Sequence, residues 1–231
     1  MRHPDSSRRT NDTAYQTGDT QTMTTITMTA PPPDHPIWNR VGEHVAIGPD
    51  RRDLLADYTR WQSDATTLWL LGTSAPTTLE EQTGRYDAQA APSETVSFTI
   101  WERATCRAIG RAELREYDLR QRSAELWLLI GEPAARQQGF GTDTLRLLLE
   151  FAFAHLGLHS LRARMHSGNI GAQRLFQQAG FCPAARYPGA LLLQAPDGVG
   201  LSRVDALIVD LLVGEWQAAP AHAAAPTTTG R

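Results

Sequence analysis

The segment from Leu126 to Thr142 constrains the fold most strongly, because it joins an apolar strand to a long amphipathic helix through a short turn. The apolar run Leu126–Ile130 predicts a buried strand. The turn ends in Arg136-Gln137-Gln138-Gly139-Phe140-Gly141-Thr142, and apolar side chains follow at helical spacing as far as Leu156. At the start of a helix, several backbone N–H groups have no partner within the helix and can point at an anion. The segment therefore predicts a phosphate site that suits a pyrophosphate.

Two common phosphate-binding motifs do not match this turn. A P-loop requires a Gly-Lys-Ser/Thr sequence, whereas this chain contains no lysine. A dinucleotide fingerprint requires a third glycine, whereas Thr-Asp-Thr follows Gly141. What remains is a turn in which Gly139 and Gly141 let the backbone approach a phosphate, with Arg136 as a positive charge beside it.

Hydrophobic periodicity predicts alternating strands and helices in the rest of the chain. The predicted strands are Val45–Gly48, Thr95–Glu102, Arg107–Glu116, Glu125–Ile130, Leu161–Met165, Phe181–Tyr187 and Arg203–Val213. The predicted helices are Arg51–Ser63 with Asp50 as N-cap, Thr77–Asp87, Gly139–Leu156 and Asn169–Ala179, and Pro188–Leu201 is predicted to be a hairpin loop. This order predicts an α/β (α+β) fold with a central mixed sheet flanked by helices.

Composition and charge narrow the class of protein. A net charge of −3 and scattered arginines argue against nucleic acid as the main partner, because phosphate backbones require a concentrated basic face. No apolar run approaches the roughly 20 residues of a membrane span, and the N-terminus does not resemble a signal peptide. Cys106 and Cys182 lack metal-ligand spacing, so we expect no metal and a cytoplasmic protein with reduced thiols.

The ends of the chain differ in composition from its middle. Residues 1–34 are polar, rich in Thr, and end in three prolines, and residues 217–231 are rich in Ala, Pro and Thr. Such segments bury too little apolar surface to offset their loss of conformational entropy. We therefore expect a disordered tail at 1–34, one domain at 37–216, and a second disordered tail at 217–231.

Two motifs resemble those of the GNAT superfamily of N-acyltransferases. The run Arg136–Gly141, of the form Arg-x-x-Gly-x-Gly after a strand, is similar to the superfamily's acyl-CoA pyrophosphate loop. Asn169–Phe181 is similar to its other signature, Asn-x-x-Ala-x-x-x-Tyr-x-x-x-Gly-Phe. The opening Gly42–Val45 and the closing strand ending in Gly214–Trp216 further resemble the RimJ/RimL-like branch. The resemblance covers Trp38 to Trp216, nearly all of the predicted domain.

The resemblance implies acetyl-CoA, or another acyl-CoA, as the cofactor. Backbone groups of Leu128 and Ile130 would lie along its pantetheine arm, and Asn169 would reach the same side. The implied cofactor-binding residues also include Arg136, Gln137, Gln138, Gly139, Phe140, Gly141, Thr142, Ala172 and Phe176. Asn169 equally suits a plain helix N-cap, so both interpretations stay open.

Glu125 is the candidate catalytic base, because amine acylation needs a neutral nucleophile and several GNAT enzymes carry a glutamate at this position. The alternative is a strand-end glutamate paired with a nearby arginine. The acid that protonates the departing thiolate is less clear from the resemblance. Phe176 stands where the family often has tyrosine, and Ala172 where RimL-like proteins have serine. Water, Ser167, His166 and Tyr187 are the remaining candidates.

The resemblance implies a primary amine as acceptor, and it places Trp69 and Tyr86 at the acceptor wall, with His166 and Tyr187 as further candidate contacts. The acceptor is expected to be a small amine, including amino-acid-like and antibiotic-related molecules. A protein N-terminus is one alternative, and a non-catalytic acyl-CoA sensor is another. The loop 188–201 is a candidate for either the acceptor site or a homodimer contact, and the sequence does not choose between them.

Overall fold

The computed structural model describes residues 36–88, 94–194 and 200–219. The predicted tail 1–34 lies outside these ranges, and so do residues 220–231 of the second predicted tail. Residues 214–216, which we expected at the end of a strand, lie instead in a short helix that runs from Val213 to Ala218. None of the helices in the described ranges is long and apolar enough to cross a membrane.

Within the described residues, one sheet contains eight strands. The strands are β1 (Arg40–Val41), β2 (Val45–Pro49), β3 (Val96–Glu102), β4 (Arg107–Asp118), β5 (Ser123–Ile130), β6 (Ser160–His166), β7 (Cys182–Gln194) and β8 (Leu201–Leu212). The helices are α1 (Leu55–Ser63), α2 (Ala65–Leu71), α3 (Leu79–Ala88), α4 (Phe140–Glu150), α5 (Ile170–Gln178) and α6 (Val213–Ala218). A 3-10 turn at Arg52–Leu54 precedes α1, and a π-helical turn at Phe151–His155 continues α4.

The sheet is mixed, as the sequence predicts. Its strand order is β1-β2-β3-β4-β5-β6-β8-β7, and neighbouring strands are antiparallel except for β5 and β6. A parallel pair needs a long crossover connection, and α4 supplies it here. The predicted fold class is therefore confirmed.

The parallel pair β5–β6 separates soon after it begins. Its pairing joins Ser123, Ala124 and Glu125 to Ser160, Leu161 and Arg162. Beyond Glu125, the described residues of β5 pair with β4 alone, as far as Ile130. The two central strands consequently leave a wedge between them. Beyond Glu125 one edge of β5 has no strand partner among the described residues, although the carbonyl of Ile130 accepts a hydrogen bond from Arg136.

Helices cover both faces of the sheet. Leu114 and Leu126 belong to the larger core together with Leu145 and Leu148 of α4. Leu129 belongs to a smaller cluster with residues of α1, among them Trp61. Because Leu126 and Leu129 are an odd number of positions apart in one strand, they face opposite sides of the sheet. The face that carries α1 is the one on which Glu125 also lies.

Two helix predictions needed correction. Asp50 is not an N-cap, because its carboxylate accepts a hydrogen bond from Nε of Arg111 at 2.8 Å and the helix starts later in the chain. Helix α2 was not predicted, since its short apolar run shows no polar face. Its N-cap is Asp64, whose carboxylate accepts from the backbone N–H of Thr67 at 2.9 Å.

The predicted loop Pro188–Leu201 is largely strand. β7 continues to Gln194 and pairs with β8 from Leu201 onward, and residues 195–199 between the two strands lie outside the described ranges. An irregularity in the pairing between Tyr187 and Leu191 accommodates Pro188 and Gly189. A bulge of this kind tolerates residues that would otherwise end a strand, which explains why the turn signal misled the prediction.

Candidate active site

A cleft of about 830 Å³ opens where β5 and β6 separate. Its lining comes from β5, the turn before α4, the end of β6, the first turns of α5 and the C-terminal end of α2. Open α/β sheets bind ligands at such positions, where neighbouring strands diverge. The sequence-predicted phosphate turn and Glu125 both lie in this one cleft.

The turn before α4 lines the cleft through Gln137 and Gly139, and the first turn of α4 lines it through Gly141 and Thr142. Gln137 has a left-handed φ of 60°, and Gly139 has a φ of 83° and directly precedes α4. Left-handed residues next to a helix start form a concave set of N–H donors that suits an anion. A Cβ at Gly139 would meet no atom within 4 Å, so its conformation, not crowding, favours glycine there.

Arg136 holds this turn against α2. Its Nε donates to the carbonyl of Ile130 at 3.0 Å, and its Nη2 donates to Oγ1 of Thr67 at 2.8 Å and to the carbonyl of Gly131 at 3.1 Å. All three acceptors are neutral, and within the described chain no carboxylate forms an ion pair with Arg136. Its positive charge therefore remains available to an anion in the cleft.

The free edge of β5 forms the wall beside this turn. Leu128 and Ile130 pair with Ala112 and Gly110 of β4 on one side, and both line the cleft on the other. An extended ligand with amide groups could therefore add to β5 as a further strand would. The role of Leu128 and Ile130 in binding a pantetheine arm stays a prediction.

Asn169 connects α5 to α2. Its Oδ1 accepts from the backbone N–H of Ala172 at 3.0 Å, so the N-cap interpretation is confirmed. Its Nδ2 donates to the carbonyl of Leu70 at 2.9 Å. Because the side chain is used at both ends, any contribution of Asn169 to ligand binding in the cleft comes from its backbone or from the position of α5.

His166 makes a second connection to α2. It is 1% exposed, its Nε2 lies 2.8 Å from the carbonyl of Trp69, and its Nδ1 accepts from the N–H of Gly168 at 3.2 Å. Since a carbonyl only accepts, Nε2 carries the proton in this arrangement. Burial lowers the pKa of His166 below its usual value. His166 thus acts as a neutral brace behind Trp69, whose ring packs edge-on against it at 4.8 Å between centroids.

Glu125 lies where the two strands begin to separate. Its side chain is 13% exposed, and its Oε2 is 2.5 Å from Nε of Arg164. Arg115 is its partner across β4–β5, and Trp127 follows on the same face. The alternative predicted from sequence, a glutamate paired with an arginine, is therefore present, and the carboxylate still reaches the cleft.

A comparison with known protein families shows which family this chain belongs to. The family model of the acetyltransferase (GNAT) domain matches residues 47–182, more than half of the chain. This protein belongs to the GNAT acetyltransferase family. The match includes Glu125, the phosphate turn and Asn169, and the predicted acetyltransferase class is confirmed at the level of the family.

Individual GNAT proteins are similar at lower identity. Human alpha/beta-tubulin-N-acetyltransferase 9 is 25% identical over 135 residues, which are 54% of this chain and 65% of that protein, so the match spans less than two thirds of that relative. Spermidine N-acetyltransferase from Vibrio cholerae, solved with CoA and spermine, superposes with a TM-score of 0.68 at 18% identity over 75% of this chain and 98% of that one. A probable acetyltransferase gives 0.63 at 19% identity, over 78% and 99%. At these identities, the two solved structures establish the fold alone.

Several predicted contacts of this GNAT domain lie outside the cleft. Tyr86 packs in the smaller core cluster under the guanidinium of Arg52, 5.1 Å from its ring centroid. Tyr187 is 53% exposed on β7, and Ser167 accepts a hydrogen bond from the N–H of Asp205 through its hydroxyl. His166 is enclosed as described above. None of these four residues is among the described residues that line the cleft, whereas Trp69 does line it.

The remaining predicted cofactor positions separate into two groups. Gln137, Gly139, Gly141, Thr142, Ala172 and Phe176 line the cleft. Phe140 instead points into the larger core, and Gln138 is exposed and donates to the carbonyl of Ala134. For both of them only the backbone can take part, which is how a GNAT phosphate turn would use them.

Sequence reasoning missed Arg115, Arg164 and Trp127 as cleft residues. In the sequence, Arg162, Arg164 and His166 alternate with apolar residues, which indicates a polar strand face but not what that face meets. The missing signal was strand register, because Arg115 becomes a neighbour of Glu125 only through the pairing of β4 with β5. That register depends on the turn between β4 and β5 and on a bulge between Arg115 and Asp118, which the strand patterns do not show.

Proposed function

We propose that this protein transfers an acetyl group directly from acetyl-CoA to the primary amine of a small, amino-acid-like or antibiotic-related molecule. The observation that carries the proposal is that one cleft contains the free edge of β5, the phosphate turn and Glu125. Family membership supports the acyl transfer. The layout of the cleft supports placing the pyrophosphate at the turn before α4 and the reacting amine near Glu125.

The residues of the cleft suit acetyl-CoA. The backbone N–H groups from Gln137 to Thr142, with the charge of Arg136, would hold the pyrophosphate, and the edge of β5 at Leu128 and Ile130 would hold the amide-bearing arm. The Vibrio cholerae spermidine N-acetyltransferase, which shares the fold, was solved in complex with CoA, and this supports the choice of cofactor. When bound, acetyl-CoA supplies an acyl group activated as a thioester.

Glu125 is the group that we assign to proton transfer. It accepts the proton that the acceptor nitrogen loses as the nitrogen bonds to the acyl carbon. Arg164 keeps the carboxylate in position through its 2.5 Å contact with Oε2. The backbone N–H of Leu128, which lies beyond the last pairing of β5 with β6, is available to an acyl oxygen and would stabilise the negative charge that develops on it.

Water protonates the departing thiolate in this proposal. The described residues that line the cleft include no Tyr, Ser, Cys or His. Phe176 and Ala172 stand at the two positions where family members carry an acid, and neither has a proton to give. A CoA thiol is acidic enough to leave with little assistance.

We also propose membership of the RimJ/RimL-like branch. The opening segment supports it, because the backbone N–H groups of His44 and Val45 donate to Oδ2 of Asp143 in α4 at 2.7 and 3.1 Å. A Cβ at Gly42 would come within 2.5 Å of the same carboxylate, so glycine is required there. Asp143 thereby ties the opening segment to the helix that begins at the phosphate turn.

The expected location is the cytoplasm, and the expected assembly is a homodimer. Both cysteines are free thiols, which suits a reducing compartment. A related fold, the Vibrio cholerae spermidine N-acetyltransferase, forms a dodecamer. Native mass spectrometry of the purified protein would report the subunit number, and a monomer at micromolar concentration would refute the homodimer.

Native mass spectrometry with a mixture of acetyl-CoA, malonyl-CoA and longer acyl-CoAs tests the cofactor. We expect retention of acetyl-CoA, followed by CoA release when amines are added. Retention without CoA release from small amines or from peptides with free N-termini would favour a non-catalytic sensor. CoA release with peptides alone would favour protein N-terminal acetylation, and no retention of any acyl-CoA would refute the assignment of the phosphate turn.

A further inference from the structure

Two arginines flank Glu125 at the end of the cleft away from the phosphate turn. Arg115 pairs with Glu125 across β4–β5, and Arg164 contacts it from β6. All three side chains line the cleft. Cross-strand neighbours lie about 5 Å apart at Cβ, so the three charged groups form one local cluster.

Arg115 is held in place on two sides. Its guanidinium lies 4.5 Å from the ring centroid of Trp127, and its Nε donates to Oε2 of Glu113 at 2.5 Å. Stacking on an aromatic face and a fixed hydrogen bond reduce the conformational freedom that an arginine loses when it binds a ligand. The guanidinium is therefore preorganised at the wall of the cleft.

A buried chain of charges supports this position. Glu113 is also bound through Oε1 by Nη1 of Arg111 at 2.8 Å, and Arg111 in turn binds Asp50. The side chains of Asp50, Arg111 and Glu113 are at most 8% exposed. Burying ion pairs costs several kcal/mol of desolvation, and an apolar core would stabilise the fold at least as well. The chain consequently points to a role in orienting Arg115 and not in stability alone.

The flanking arginines retain donors for a ligand. Arg115 is 38% exposed, and within the described residues no acceptor binds its two terminal nitrogens. Arg164 is 55% exposed, and beyond Glu125 its only carboxylate neighbour in the described chain is Glu116, at 3.6 Å. Planar guanidinium groups with free terminal nitrogens match the geometry of a carboxylate.

The same arrangement disfavours an acceptor with several positive charges. Glu125 is the single carboxylate among the described residues of the cleft lining, and Arg164 already neutralises it. An ammonium group beyond the reacting amine would meet Arg115 or Arg164, and like charges at such short range repel each other.

From these observations we infer that the acceptor carries a carboxylate close to its reacting amine, as an α-amino acid or a peptide-like acid does, and that Arg115 binds this carboxylate while Arg164 orients Glu125. The inference rests on the proposed acetyl transfer to an amine. It adds the charge of the acceptor and assigns Arg115 as the residue that selects it.

The test compares acceptors that differ only in the carboxyl group. Free L-amino acids, their carboxamides and the corresponding amines without a carboxyl group are assayed for CoA release with acetyl-CoA, together with spermidine. We expect kcat/KM for the acids to exceed that for the amides at least about tenfold, because a site built to bind a polar group strongly rejects analogues without it. In Arg115→Gln, the ratio of kcat/KM for acids to kcat/KM for amides should fall to about twofold or less, because kcat/KM for the acids decreases.

Controls separate charge selection from general damage. Arg115→Lys keeps the charge but loses the planar fork, so an intermediate ratio is expected. Arg120→Gln removes the same charge from an exposed turn outside the cleft and should leave the ratio unchanged. Circular dichroism of each variant checks folding, and the change of tryptophan fluorescence when acids are added in the presence of CoA, which carries no acetyl group, reports binding without turnover.

Three results would overturn the inference: better acetylation of amides or spermidine than of the acids, an acid preference that persists in Arg115→Gln, or acetyl-CoA binding without binding or acetylation of any acid. Failure to bind acetyl-CoA would instead refute the proposed function, and the native mass spectrum distinguishes the two cases.

Discussion

The two ends of the cleft are built differently. The phosphate end comes from one continuous segment, the turn from Arg136 to Thr142, and it presents mostly backbone N–H groups. The acceptor end comes from four separate elements, which contribute Trp69, Arg115, Glu125 and Arg164, and it presents side chains. One end therefore depends on local conformation and the other on the register of the sheet.

This difference suits what each end would bind. A pyrophosphate is the same in every acyl-CoA, so a turn whose backbone makes the contacts can tolerate changes of side chain. An acceptor differs among relatives of one fold, and side chains brought together by strand pairing can change one at a time. We expect substitutions at the acceptor end to alter turnover and selectivity, and substitutions at the phosphate end to alter cofactor affinity.

The largest expected effect is that of Glu125→Gln. Turnover should fall about 100-fold or more, since general-base catalysis contributes about 10²–10⁴. The Kd of acetyl-CoA should stay the same, because Glu125 precedes Ile130 by five positions, roughly 16 Å along a strand. Initial rates of CoA release and native mass spectrometry measure the two quantities. Glu116→Gln, which removes the exposed carboxylate near Arg164, is the matched control, and equal turnover in both variants would remove Glu125 from the mechanism.

Arg136→Gln should act on the other end. The loss of a charge and of three hydrogen bonds is expected to weaken acetyl-CoA binding about tenfold, which corresponds to about 1.4 kcal/mol. The kcat at saturating acetyl-CoA should change little. Arg120→Gln controls for net charge, and a lower kcat with an unchanged Kd would show that the two ends are not separable in this way.

Asn169 does not belong to one end of the cleft alone, because its side chain caps α5 and also binds the carbonyl of Leu70 in α2. We therefore expect a substitution there to affect both stability and the acceptor end. Asn169→Ala loses the helix cap and the bond to the Leu70 carbonyl, and should reduce the free energy of unfolding by about 2 kcal/mol. Asn169→Ser retains a capping hydroxyl and should lose about 1 kcal/mol. Urea unfolding measures both. Identical losses would mean that the cap contributes nothing, and an unchanged KM for the acceptor would mean that α2 keeps its position without Asn169.

The smallest effect concerns pH. Burial lowers the pKa of His166 below its ordinary 6.5, so below that pH the unfolded chain takes up a proton that the folded protein resists. Stability from this group is complete above about pH 7 and declines as the pH falls, by at most about 1.4 kcal/mol per pH unit. His166→Gln should flatten the dependence of urea unfolding between about pH 8 and pH 5.5. His155→Gln, at an exposed position, should retain the wild-type slope.

Much of the fold was readable from local patterns. The β3–β4–β5 meander, the helix that begins next to Gly139 and the cap at Asn169 were predicted within a few residues, because periodicity, glycine and capping chemistry act over short distances. Helix α2 was missed, and the turn residues Pro188 and Gly189 were misread, because pairing with β8 absorbs them in a bulge. In both cases tertiary contacts outweighed a weak local signal.

The sequence by itself determined the phosphate end of the cleft and the family, because those residues are consecutive and their chemistry is that of a turn leading into a helix. Only the tertiary structure decided the acceptor end. It placed Arg115 beside Glu125 through β4, brought Arg164 across from β6, and enclosed His166 behind Trp69. The reason is physical. A bulge between Arg115 and Asp118 sets which residue of β4 meets Glu125, and the separation of β5 from β6 involves strands distant in sequence, so neither shows as a local pattern.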